Sequence, residues 1–122
     1  MLNLLLLRHA KSSWDEPRLD DFDRPLTKRG TKAAAAIGRH IEQAGLVPSL
    51  VLCSTAVRTR ATVALALREI DAKAPEIVFD DALYLADAEP LLAHLLFRAA
   101  DWSTILPATG TLADFVLPRR LD

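Results

Sequence analysis

Leu4, Leu5, Leu6 and Leu7 run without a break into Arg8, His9 and Ala10. A near-continuous apolar run reads as a strand buried on both faces of a parallel sheet. The cationic pair then stands at the carboxyl end of that strand, beyond which open α/β sheets bind their ligands. Packing alone gives no reason to end a leucine run on an arginine and a histidine. Both residues suit a phosphoryl group: arginine presents a fixed fork of donors to phosphate oxygens, and a neutral imidazole is a nucleophile.

The rest of the chain alternates strand and helix signals. Leu2 to Leu7 reads as the first strand. Ala10 to Leu26 is a long irregular stretch with Pro17, Pro25 and many acids, and loops of that length in compact domains tend to carry function. Thr27 is placed to cap a helix running to about Ala44, with Gly45 as its stop. Ala34, Ile37, Ile41 and Ala44 form the apolar stripe of that helix. Leu50 to Cys53 is a second buried strand, Ser54 and Thr55 turn the chain and cap a helix over Val57 to Ile70, and Glu76 to Asp80 is a third strand. This order predicts an α/β fold with a mainly parallel sheet and right-handed crossovers. At 122 residues the chain, 1–122, is expected to form a single domain. Beyond Ala82 the pattern is less regular. Leu83 to Leu85 is compatible with a helix continuing through Glu89 to Leu92, Leu92 to Arg98 with a strand, and Thr111 to Leu117 with a strand closed by Pro118.

Bulk charge narrows the partners. A net charge of −1 supplies no global field for nucleic acid or an anionic membrane, so any affinity for anions must come from locally placed arginines. The single Cys53 forms no internal disulfide and fits a reducing compartment. With no long apolar span and no secretory-type N-terminus, the expected location is the cytoplasm. Asp15, Glu16, Asp20, Asp21 and Asp23 match no calcium-loop spacing, so no metal is expected. They read as a solvated loop or lid, with Arg24 pairing with one of its carboxylates.

A second strand end completes the constellation. Arg58 falls in the first turn of the second helix, where free amide donors and a partial positive charge attract anions. Adjacent strand ends bring Arg8, His9 and Arg58 around one phosphate, whose transfer is stabilised by fixed cations. His9 must then be neutral and oriented by a hydrogen bond, for which a loop carbonyl is a candidate acceptor. Two nearby guanidinium groups lower its pKa by repulsion. Lys11, Ser12 and Ser13 follow the histidine and are candidates to touch substrate phosphate. Trp14 either covers the mouth of the site or packs on the loop. Cys53 reads as packing, and His40 as a half-buried surface histidine.

Together these residues resemble the histidine phosphatase superfamily. They are Leu6-Leu7-Arg8-His9-Ala10-Lys11-Ser12, Asp23-Arg24-Pro25-Leu26-Thr27 with Gly30, Leu52-Cys53-Ser54 with Ala56, Arg58 and Thr62, then Leu83-Tyr84. Trp102, Gly110, Phe115 and Pro118 to Leu121 are also similar to longer members. The nearest branch is the small one similar to bacterial phosphohistidine phosphatases. The resemblance implies a phosphoglycerate-mutase-like, three-layer α/β/α sandwich. It makes His9 the nucleophile and Arg8 and Arg58 the phosphate ligands, with Ser54 and Thr62 supporting the pocket and no metal or organic cofactor. The implied activity is hydrolysis of a phosphomonoester or a protein phosphohistidine through a phosphohistidine on His9. The partner is a phosphorylated small molecule or a phosphohistidine protein.

The chain departs from the family in one respect. Members carry a second catalytic histidine in a Gly-His-Asn-Pro-like segment, which is absent here; His94 lacks that context. Either the protein is a shortened variant, or an internal stretch is missing between residues 86 and 97. Unpaired neighbours of a lost central strand favour the second explanation. The alternative function is a phosphate-binding pseudophosphatase with a regulatory role; a phosphomutase, needing further substrate loops, ranks below it.

Overall fold

Local signals place the first helix. In the computed structural model, which describes residues 3–85 and 111–112, α1 spans Lys28–Gln43. Thr27 is extended, and its hydroxyl accepts the Gly30 N–H at 2.9 Å, which satisfies one of the orphan donors of the first turn. At the other end Gly45 takes a left-handed φ of +68°, a conformation glycine adopts without a Cβ clash. The Gly45 N–H reaches the Glu42 carbonyl at 3.0 Å and the Leu46 N–H the Ile41 carbonyl at 2.9 Å. This pair of bonds is the Schellman closure of a helix.

The remaining elements are β1 (Asn3–Leu4), β2 (Leu50–Cys53), α2 (Val57–Arg68), β3 (Glu76–Phe79) and β4 (Thr111–Leu112), with 3₁₀ turns at Asp21–Asp23 and Asp81–Leu83. β1 pairs in parallel with β4, Asn3 opposite Thr111. β2 pairs in parallel with β3, from Leu50 opposite Glu76 to Cys53 opposite Phe79. The fold is α/β with parallel strands, as the alternating pattern predicts.

Several boundaries differ from the sequence expectation. Among the described residues the first ladder covers Asn3–Leu4, Leu7 stands in a single bridge, and Leu5 and Leu7 pack on the core of Ile37, Ile41 and Ala66. α2 ends at Arg68 and not Ile70. Its last turn tightens to 3₁₀ bonds, Glu69 N–H to Ala66 and Ile70 N–H to Leu67. β3 stops at Phe79 because the Asp80 carboxylate accepts the Ala82 N–H and starts a 3₁₀ turn, where a longer helix was an option. Ser54 and Thr55 do not cap α2. Its N-cap is the fully buried Ala56; the Ser54 hydroxyl accepts the Ala56 N–H, and the Thr55 hydroxyl donates to Asp81. The expectations for Glu89 to Arg98, the junction between Ala86 and Phe97, His94, Trp102 and the chain beyond Leu112 lie outside the described residues.

α1 and α2 pack directly on one another around Ile37, which is 1% exposed. They approach tightly at Gly38, where a Cβ would sit 2.1 Å from the Ala66 carbonyl oxygen. That atom is helix backbone and cannot step aside. Gly38→Ala is therefore expected to separate the helices and lower the unfolding free energy by about 1–3 kcal/mol, read as a lower denaturant midpoint. An unchanged midpoint would show that the helices are not in this contact.

Candidate active site

The stretch from Ala10 to Leu26 is a tied hairpin and not an irregular loop. Ser12 and Leu26 form an antiparallel bridge, the Ser13 N–H reaches the Pro25 carbonyl at 2.8 Å, and the Thr27 N–H reaches the Lys11 carbonyl at 2.9 Å. Gly30 lets the first turn of α1 lie on Lys11, since a Cβ there would meet the Lys11 carbonyl oxygen at 2.2 Å. Fully buried Ala10 donates its N–H to the Thr62 hydroxyl at 3.0 Å. That hydroxyl in turn donates to the Arg58 carbonyl at 2.7 Å. One side chain thus joins the residue after His9 to the first turns of α2.

His9 is half-buried, and its Nδ1 lies 2.7 Å from the Ala10 carbonyl oxygen. A carbonyl only accepts, so this contact assigns the proton to Nδ1 and leaves the Nε2 lone pair free. Burial is the main force lowering the pKa of the ring below its usual 6.5. The charges of Arg58, Arg8 and Arg24 add to the lowering, and the Ala10 bond opposes it. Desolvation outweighs the arginine repulsion expected from the sequence, and Arg24 adds a third cation to Arg8 and Arg58.

Arg58 and Arg24 are both buried, 6% and 7% exposed, and both turn to Asp21. Arg58 Nη1 donates to the Asp21 main-chain carbonyl at 2.7 Å and Nη2 to Oδ2 at 3.1 Å. Arg24 Nη1 donates to Oδ1 at 2.9 Å, Nη2 to the Ser12 hydroxyl at 2.6 Å and Nε to the Ser13 carbonyl at 2.9 Å. Its guanidinium also stacks 3.2 Å from the ring centre of Trp14, a cation–π contact. The Tyr84 hydroxyl donates to Asp21 Oδ2 at 2.6 Å, and the Tyr84 ring meets Phe22 edge-on at 5.1 Å. The Tyr84 hydroxyl bond, followed by those of Arg24 and Arg58, holds the Asp21 carboxyl down at about 2. Asp21 therefore has no proton to donate near neutral pH.

The other candidates fall into place around this cluster. Arg8 is exposed, and its charge reaches His9. The Ser12 hydroxyl accepts from Arg24, and the Ser13 hydroxyl accepts the Asp15 N–H at 3.0 Å, so both serines take part in the fold of the hairpin. Lys11, Asp15 and Glu16 are exposed. Trp14 is 76% exposed and lies on Arg24. Cys53 is buried, donates to the Ser54 carbonyl at 3.1 Å, and burial pushes its thiol pKa up, which suits packing. Among the described residues no group of three or more His, Cys, Asp or Glu side chains is placed to hold a metal ion, and no helix is long and apolar enough to cross a membrane. From the sequence, Asp21 stands only among the loop acids and Tyr84 only in the Leu83-Tyr84 match to the family; the bond between them is seen in the structure. The i, i+3 spacing of Asp21 and Arg24 was an available hint; the Tyr84 contact had none.

The family model described as histidine phosphatase superfamily (branch 1) matches residues 4–84. Among solved structures, the chain is similar to the candidate phosphohistidine phosphatase SixA from Agrobacterium tumefaciens, at 29% identity and a TM-score of 0.71, covering 90% of this chain and 65% of that one. It is also similar to the SixA candidate from Nakamurella multipartitia, at 33% identity and a TM-score of 0.64, covering 88% of this chain and 55% of that one. A chloroplastic protein of Arabidopsis thaliana is 46% identical over 68 residues, 56% of this chain and 31% of its own length. The 2,3-bisphosphoglycerate-dependent phosphoglycerate mutase of Erythrobacter litoralis is 36% identical over 73 residues, 58% of this chain and 32% of its own length. The matches to these two proteins span about a third of their lengths.

Thr62 is 2% exposed, so Thr62→Val would leave the buried Ala10 N–H without its acceptor. The expected cost is about 1–3 kcal/mol in a denaturant titration; a neutral substitution would show that the hydroxyl does not link Ala10 to the helix.

Proposed function

The chain belongs to the histidine phosphatase superfamily, and on that premise we propose that it is a phosphatase acting through a phosphohistidine on His9. The observation that carries the reading is the Nδ1 contact of His9 with the Ala10 carbonyl at 2.7 Å. It aims a neutral ring with Nε2 as the free nucleophile. In the first step the Nε2 lone pair bonds to phosphorus as the P–O or P–N bond of the substrate breaks, and the leaving group departs with that electron pair. In the second, water takes the phosphoryl group, releasing inorganic phosphate and restoring Nε2. Arg8 and Arg58 neutralise the charge that builds on the equatorial oxygens. Ser12 and Ser13 border the same anion.

The substrate is a phosphomonoester or a protein phosphohistidine. The likeness to two SixA candidates supports the second. An imidazole leaves more readily than an alkoxide and depends less on a general acid, which also suits a site where Asp21 holds no proton.

Substitution His9→Ala is expected to abolish turnover of an aryl phosphate and of a phosphohistidine peptide. Brief incubation of the unaltered protein with labelled substrate should leave an acid-labile phosphoenzyme that the variant lacks. Full activity in His9→Ala would refute the mechanism. The pH profile gives a separate check. A folded pKa below 6.5 keeps the ring unprotonated as pH falls through that value, so the acid limb of kcat/KM belongs below pH 6.5. A limb at or above 6.5 contradicts the described environment of His9.

A further inference from the structure

Arg58 is a charge held inside the protein, and a buried guanidinium needs both a counter-charge and directed acceptors. Asp21 supplies both from a different part of the chain: its main-chain carbonyl takes Nη1 and its Oδ2 takes Nη2. Each terminal nitrogen has a second N–H, and among the described residues no acceptor takes these or Nε–H. The carboxylate is itself fixed. Arg24 holds Oδ1, and the Tyr84 hydroxyl shares Oδ2. The Arg58 guanidinium also lies 5.8 Å from the Tyr84 ring centre, so fork, carboxylate and ring restrain one another.

We propose that Asp21, held by Arg24 and Tyr84, is a positioning residue that sets the orientation of the Arg58 fork for the phosphoryl group. The inference rests on the phosphatase reading for the role of Arg58. A free arginine has many rotamers, and ordering one at the moment of reaction is costly; here the order exists before substrate arrives. The opposite possibility is that Asp21 competes with phosphate for Arg58 as an internal anion. The two differ in sign, because removing a positioning group weakens phosphate binding and removing a competitor strengthens it.

The test uses the full chain. Turnover of para-nitrophenyl phosphate by the unaltered protein and its loss in His9→Ala judge the phosphatase reading alone. Titration with inorganic phosphate by calorimetry judges the role of Asp21 whether or not there is turnover. Asp21→Asn is expected to lower phosphate affinity and kcat/KM by about 10- to 100-fold. Tyr84→Phe, which removes only the hydroxyl, should act in the same direction to a smaller extent, and it decides the matter if Asp21→Asn does not fold. In an Arg58→Lys background, which has no fork to orient, Asp21→Asn should add little, whereas a purely structural role would multiply the two losses. Unchanged or tighter phosphate binding in Asp21→Asn and Tyr84→Phe, or multiplying losses in the double variant, would overturn the proposal.

Discussion

The Thr62 hydroxyl is the joint on which the site depends. It accepts from Ala10 and donates to Arg58, so one buried oxygen links the residue after His9 to the start of α2. The bonds of Arg58 to Asp21, and of Arg24 to Asp21 and Ser12, make a second, side-chain link between the same two segments. The Thr62 link uses main-chain groups and so sets backbone positions. A valine has nearly the same shape and would fill the space without joining the two elements.

Charge is handled by a second arrangement. Two buried guanidinium groups close to one histidine are unfavourable unless a counter-charge accompanies them. Asp21 provides it for both, and its own geometry is over-determined by a tyrosine. The result favours a neutral imidazole in a cationic surround. Burial of the ring and the nearby guanidinium groups act in the same direction on it, which is the state a nucleophilic histidine needs.

Much of this was legible from local chemistry. Thr27 and Gly45 announce the ends of α1 because caps depend on adjacent residues. The leucine run marks Arg8 and His9, and the start of α2 marks Arg58. What was hidden depends on distance along the chain. Apart from its i, i+3 spacing to Arg24, nothing local separates Asp21 from Asp15, Glu16, Asp20 or Asp23, because its other partners lie 37 and 63 residues away. Ala56 as N-cap was hidden for a similar reason: Thr55, the better local candidate, is drawn to Asp81, 26 residues on. Leucines suit a ladder and a helix-facing core equally well, and Leu5 and Leu7 pack on Ile37, Ile41 and Ala66.

The sequence separation of the Asp21 contacts bears on how the molecule assembles. Bringing together residues 21, 58 and 84 closes long loops, and chain entropy opposes each closure until the contacts form. Each of α1 and α2 by itself rests on near-neighbour hydrogen bonds and carries no such penalty. The separate helices therefore have reason to form first, with their pairing and the cluster of Asp21, Arg58 and Tyr84 maturing behind them. A chain stalled between those stages would hold native-like helices while its arginines had not yet found their carboxylate.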